Sequence, residues 1–185
     1  MKGMVRLSSI RGTGGSGFTL IEMLTVLSIC AILLAVGVPS FRNLLQSQQL
    51  TTTANDFFAA INLARSEAIQ RGTRVDLVPA GNGSDWDSGW VVFIDQNKNQ
   101  RPDSSEQIIF SHGPVPQSLT VASDFTDNDD DAKYISYTGS GRTRTNANSL
   151  QSGSVSFTLG KHVRKIYVNM LGRPRVCNPD SGTKC

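Results

Sequence analysis

The chain has 185 residues, of which 38% are hydrophobic and 18% charged, with a formal net charge of +3. That length holds one domain plus an anchor and excludes a second full domain. Lys2, Arg6 and Arg11 carry the whole excess, because residues 18–185 hold 15 basic and 15 acidic side chains, so a uniformly basic protein is excluded.

In chain order, the first feature is G-F-T-L-I-E, Gly17 to Glu22, followed at once by an apolar run. Residues 18–38 contain a single charge, Glu22. About 20 such residues cross a bilayer core at 1.5 Å rise each. A secretory signal is cut after its apolar stretch, whereas this Gly-Phe junction comes before it. Three cations and no acid precede the span, so the positive-inside rule places residues 1–17 in the cytoplasm and everything after Pro39 on the far side. An acid within the span costs roughly 2.5–3.5 kcal/mol on insertion scales and therefore calls for a partner or an interface. Pro39 lacks an N–H and is expected to kink the helix.

Gly17, Phe18, Thr19, Leu20, Glu22 and Pro39 together resemble a type IV prepilin. The resemblance implies a leader over residues 1–17, cleaved between Gly17 and Phe18 by a prepilin peptidase that methylates the new amine. It also implies that Phe18 and Glu22 serve assembly, the carboxylate pairing with the N-terminal ammonium of a neighbouring pilin. Residues 18–38 would be the transmembrane and filament-core helix of a single-pass inner-membrane protein. Its C-terminal domain would lie in the periplasm and reach the surface in a pilus. The plainer alternative is an ordinary anchor with one stray Glu.

Phe41, Leu44, Leu45, Leu50, Ala54, Phe57, Phe58, Ile61, Ala64 and Ala68 recur near helical spacing. Gly72 after the basic Arg71 is a helix stop. One helix is therefore predicted from about 18 to 71, amphipathic over residues 39–71. Beyond Gly72 the period changes to two, predicting strands at 74–78, 90–94, 107–110, 118–122, 134–137, 155–159, 165–169 and 173–177. P-A-G-N-G, D-Q-N-K-N, T-G-S-G and L-G-R-P supply turns between them. One long helix followed by eight short strands predicts an α+β fold, with the helix packed on an antiparallel sheet in a β-rich domain over residues 72–185. Trp86 and Trp90 are assigned to core packing.

F-F-x-A-I-N-L-A-R-S-E-A-I-Q-R-G from Phe57, followed by D-W-x-x-G-W-V-V-F-I-D-x-N from Asp85, resembles the GspH/FimT group of minor pilins and pseudopilins. With the N-terminal features, the resemblance covers most of the chain and implies a pilin-like fold.

Chemistry-bearing clusters are few. Asp95, Asn97, Asn99, Asp103 and Glu106 fall at positions 1, 3, 5, 9 and 12 of a calcium loop, but Gln100 replaces the Gly at position 6 and strands flank it. A polar hairpin loop bonded to its own backbone is the preferred reading, with a metal only a weak candidate. Asp124, Asp127, Asp129, Asp130 and Asp131 read as a solvated loop. His112 and His162 lack any catalytic context, and no nucleophile elbow, zinc-protease or phosphate-loop motif occurs. The chain reads as non-catalytic, with no cofactor. Cys30 is a small apolar residue of the span. Cys177 and Cys185 bracket a short polar loop; outside the cytoplasm such a pair is expected to be a disulfide, stabilising by about 2–3 kcal/mol in the chain-entropy model.

Charge is strongly segregated. Residues 18–131 carry 6 basic and 14 acidic side chains, and residues 132–185 carry 9 basic and 1 acidic. A polyanion partner, attraction between the two halves, and a solvated basic face all remain open on charge alone. G-R-T-R at Gly141–Arg144 and G-R-P-R at Gly172–Arg175 sharpen the choice. Arginines two apart project to one side of an extended chain, and guanidinium groups match phosphate oxygens bidentately. Lys161, Arg164 and Lys165 add charge on the neighbouring hairpin. Several cations on one face suffice for sequence-independent backbone binding. G-R-x-R near the C-terminus resembles the DNA-binding FimT branch, which implies a minor pilin binding double-stranded DNA for natural transformation through Arg173, Arg175, Arg142 and Arg144. The alternative is a GspH-like type II secretion pseudopilin, or a purely structural minor pilin that primes filament assembly.

Overall fold

The computed structural model describes residues 17–81, 84–126 and 133–179. Helix α1 spans Leu20–Arg71 and continues through Pro39. Thr19 caps it: Met23 N–H donates to Thr19 O (3.2 Å), Glu22 N–H donates to Thr19 Oγ1 (3.3 Å), and Thr19 N–H donates to Glu22 Oε2 (2.8 Å). This reciprocal arrangement is a capping box, which satisfies amides that the first helical turn leaves unpaired. At the other end Gly72 adopts a φ of 65°, the left-handed stop that glycine tolerates best.

The chain divides into two compact units, Met1–Arg42 and Asn43–Cys185. In the first unit the apolar side chains of α1 are solvent-exposed, and an 18-residue window of the helix is apolar enough to cross a membrane. In the second unit Leu50, Thr53, Ala54, Phe57, Ala60, Ile61, Ala64 and Ala68 are buried, one stripe at helical spacing. The buried stripe begins later than the sequence pattern predicts, since Leu44 and Leu45 remain more than half exposed. Periodicity marks which residues could share a face, but burial needs an opposing surface.

Eight strands follow: β1 (Val75–Pro79), β2 (Trp90–Phe93), β3 (Ile108–His112), β4 (Leu119–Phe125), β5 (Ile135–Tyr137), β6 (Gly153–Leu159), β7 (His162–Val168) and β8 (Pro174–Cys177). They form two four-stranded antiparallel sheets, ordered β3-β2-β1-β5 and β4-β6-β7-β8, where the sequence reading expected one. The split arises because β4 pairs with β6 rather than with β3, a choice of partner that local periodicity does not encode. Both sheets and α1 share one core. At its centre Phe57 meets Trp86, Trp90 and Phe157 edge-on, at centroid distances of 5.1, 5.0 and 5.4 Å. Both tryptophans are fully buried. Val78, Val91, Phe93 and Tyr134 form a second, smaller cluster.

Arg74 clamps buried Asp76 bidentately, Nε to Oδ1 at 2.8 Å and Nη2 to Oδ2 at 2.6 Å, and reaches Asp95 Oδ2 at 3.4 Å. Burial pushes the Asp76 carboxyl up to about 7, against the opposing pull of the Arg74 guanidinium. The Asp95–Glu106 loop satisfies itself. Asp95 Oδ1 accepts from Lys98 and Asn99 N–H, its Oδ2 accepts from Gln100 N–H, and Glu106 accepts from Gln96 and Asp103 N–H. Asn97 and Asn99 both donate to Asp103. These carboxylates hold backbone and amide donors rather than facing one centre, and no set of three His, Cys, Asp or Glu side chains suited to a metal occurs among the described residues.

Candidate nucleic-acid interface

The two G-R-x-R segments occupy the same kind of turn. After β5, Gly141 N–H donates to Thr138 O (2.8 Å) and Thr138 N–H donates to Arg142 O (3.0 Å). Between β7 and β8, Gly172 N–H donates to Asn169 O (2.8 Å) and Asn169 N–H donates to Arg173 O (3.2 Å). Gly141 and Gly172 have φ values of 71° and 73°. Each is a three-residue loop closed by a left-handed glycine, with an arginine as the next residue. Asn169 Oδ1 reinforces the second turn by accepting from Leu171 and Arg173 N–H.

The two turns are stacked. A Cβ on Gly172 would lie 2.5 Å from Gly141 O and 2.7 Å from Tyr137 Cε1. Tyr137, fully buried, donates its hydroxyl to Gly172 O at 3.0 Å. Burial pushes that phenol up, against a smaller pull from the Arg65 charge, so it remains a donor. The buried Thr143 hydroxyl lies 2.7 Å from Gln151 O and 3.3 Å from Asn169 O, bridging one motif to the turn of the other. On its far side Gly141 rests on α1, where an added Cβ would meet Ile69 Cδ1 at 2.6 Å and Arg65 Nε at 3.4 Å.

Arg142, Arg173 and Arg175 are exposed around this stack, and their side chains form no hydrogen bond or ion pair among the described residues. In β8, Pro174 pairs with inward-facing Val168 and Arg175 with exposed Tyr167, so Arg173 and Arg175 share the outward side. Lys165 stands on that same outward face, with its Nζ 5.2 Å from the Tyr167 ring centroid. Arg65 joins from α1, which no local pattern in the C-terminal half signals.

Three predicted cations are placed elsewhere. Lys161 is exposed in the β6–β7 turn, at the opposite end of β7 from Arg173, roughly 25 Å away at ~3.4 Å per residue. Arg164 alternates with Lys165 and shares the face of buried Ile166; its Nη1 bonds Asn178 Oδ1 (2.8 Å) and Val163 O (2.9 Å), and its Nη2 reaches Ser47 Oγ (3.4 Å). Arg144 donates to Asn148 O (3.1 Å) and, with Arg74 and Lys98, lines a cavity of about 160 Å³ that opens beside Thr138 and Gly139 of the first turn. Cys177 is buried at the end of β8, opposite Lys165. Cys185, Asp127, Asp129, Asp130, Asp131 and residues 1–16 lie outside the described residues.

Comparison with known proteins sets the chain in a family. The model of the family described as Type II transport protein GspH matches residues 53–172, and that of the prokaryotic N-terminal methylation motif matches residues 15–38. The pilin-like protein PilA1 of Thermus thermophilus is 35% identical over 98 residues, which are 52% of this chain and 58% of that protein. The match thus spans little more than half the length of that relative. Two crystal structures of the type IV minor pilin FimU of Pseudomonas aeruginosa superimpose with TM-scores of 0.56 and 0.53, each at 14% identity. They cover 72% and 70% of this chain and 91% and 94% of theirs, which establishes a shared fold. A methylation-type N-terminus, one long helix packed on antiparallel sheets and a family match over most of the globular part place the chain in the GspH/FimT family of type IV pilin-like proteins.

Proposed function

We propose that this chain is a minor pilin that captures DNA without sequence preference through Arg142, Arg173 and Arg175, supported by Lys165 and Arg65. The supporting observation is the stacking of two identically built turns, which groups exposed arginines whose side chains have no partner among the described residues. Uncommitted guanidinium groups on a rigid turn suit phosphate oxygens, and Arg142, Arg173 and Arg175 stand on turns and a strand rather than on a helix that could enter a major groove. In this reading the prepilin peptidase cuts at Gly17–Phe18, α1 anchors the chain in the inner membrane, the β-rich domain lies in the periplasm, and incorporation among other pilins carries the arginines to the cell surface. The Cys177–Cys185 disulfide would secure the tail beyond β8.

The test is duplex binding by the purified full-length chain in nonionic detergent, across a salt series. Replacing Arg173 and Arg175 with Gln is expected to weaken binding strongly and to flatten the slope of log affinity against log salt by roughly 0.9 per cation removed. Both residues are exposed, so stability should change by under ~0.5 kcal/mol. Equal affinities and slopes would remove these arginines from the site. The family match itself then favours the second reading, a type II secretion pseudopilin or structural minor pilin whose basic face meets protein.

A further inference from the structure

We propose that Tyr167 is a stacking platform for an unpaired nucleobase, so that this interface takes single-stranded DNA in preference to duplex; the proposal rests on the DNA-binding reading above. Tyr167 lies on the outward side of β7, 40% exposed, in a row of cross-strand partners that runs Ser154, Tyr167, Arg175. An outward tyrosine on a sheet usually leans on a neighbouring side chain. Here the cross-strand neighbour on one side is a serine, too small to cover a ring, and the neighbour on the other is an arginine with no side-chain partner among the described residues. Lys165, two residues earlier, places its ammonium over one face of the ring, 5.2 Å from the centroid, so the face offered to a base is the other one.

Past Tyr167, towards the β7–β8 turn, a mostly apolar groove of about 250 Å³ opens, lined by Ser152, Gly153, Tyr167, Val168, Asn169 and Met170. Met170 is 52% exposed at the end of the groove. The groove adjoins the turn that carries Arg173, and β8, which carries Arg175, borders β7 on the side away from β6. An aromatic ring with an open apolar flank, bordered by cations that can follow a phosphate chain, is the combination that binds single strands. In a duplex the bases are already stacked on one another, so only the phosphates could use this surface. Stacking is tolerant of base identity because every base presents a π-face, which accords with binding that lacks sequence preference.

The test compares a single-stranded oligonucleotide, the same strand closed into a hairpin duplex, and a backbone-only strand with abasic sites, each with the full-length chain in nonionic detergent. The wild-type protein should bind the single strand most tightly. Tyr167→Ala should lose about tenfold on the single strand, change little on the duplex, and keep the salt slope, because no counterion-releasing cation is removed. Tyr167→Phe should retain binding, and the abasic strand should bind wild type and Tyr167→Ala alike. Unchanged melting temperatures would confirm that both variants are folded, and should Tyr167→Ala fail to fold, the abasic strand on wild-type protein carries the test alone. Equal losses on both DNA forms, or no loss on the single strand, would overturn stacking while leaving the DNA-binding reading standing. Absence of binding by wild type to either form would overturn both.

Discussion

Glu22 performs a local task that the sequence alone did not disclose. Its Oε2 accepts from both Thr19 N–H (2.8 Å) and Thr19 Oγ1 (2.9 Å), while Oε1 carries no bond among the described residues. The carboxylate therefore fixes the start of α1 and still offers a second oxygen to a cation. The two roles are separable by substitution. Glutamine preserves a capping box, whereas valine abolishes it, and a lost cap costs about 0.5–2 kcal/mol of helix stability. If an intersubunit ion pair drives assembly, Glu22→Gln and Glu22→Val should both insert into the membrane and both be depleted from sheared pili on immunoblots. Normal incorporation of Glu22→Gln, with depletion of Glu22→Val alone, would assign the residue to capping and remove the ion pair.

At the scale of elements, the candidate site is a contact between two turns, and glycine is what permits it. Gly172→Ala would place a methyl against Gly141 O and the buried Tyr137 ring, in a left-handed conformation that itself costs roughly 1–2 kcal/mol in a residue with a Cβ. Gly141→Ala carries the same conformational cost but meets first the end of the Ile69 side chain, which can turn aside. Thermal unfolding should therefore show Gly172→Ala as the more destabilised of the two. It should also weaken DNA binding beyond its loss of stability, because Arg173 moves with the turn. Equal destabilisation by the two substitutions would contradict the stacked arrangement. Each turn was legible as a short glycine loop next to an arginine. Their adjacency was not, because β5 and β8 belong to different sheets and the turns beside them are joined by long-range contacts such as Tyr137 to Gly172 and Thr143 to Asn169. Arg65 was missed for the same reason: it lies on α1, and only the fold brings it to Gly141.

At the scale of the molecule, the segregation of charge is resolved in one respect. The ion pairs Arg71–Glu67, Arg74–Asp76, Arg74–Asp95 and His112–Asp56 all lie before residue 131, and Arg142, Arg144, Lys161, Lys165, Arg173 and Arg175 pair with no described carboxylate. Among the described residues, no direct ion pair joins those cations to the acidic half. The long helix poses the corresponding question of burial. Every buried residue of α1 lies at or after Leu50, whereas Phe18 to Leu45 present an apolar surface that water does not favour. A helix in a globular domain owes its stability mostly to the packing of its apolar face rather than to propensity, and that face belongs wholly to the second unit, Asn43–Cys185. A fragment beginning at Asn43 should therefore be soluble without detergent, monomeric on gel filtration, and melt in one cooperative transition. It should also retain helical circular dichroism from the stretch that ends at Arg71. Loss of cooperativity, or aggregation of the fragment, would mean that residues before Asn43 supply stability that the burial of Leu50 to Ala68 does not account for.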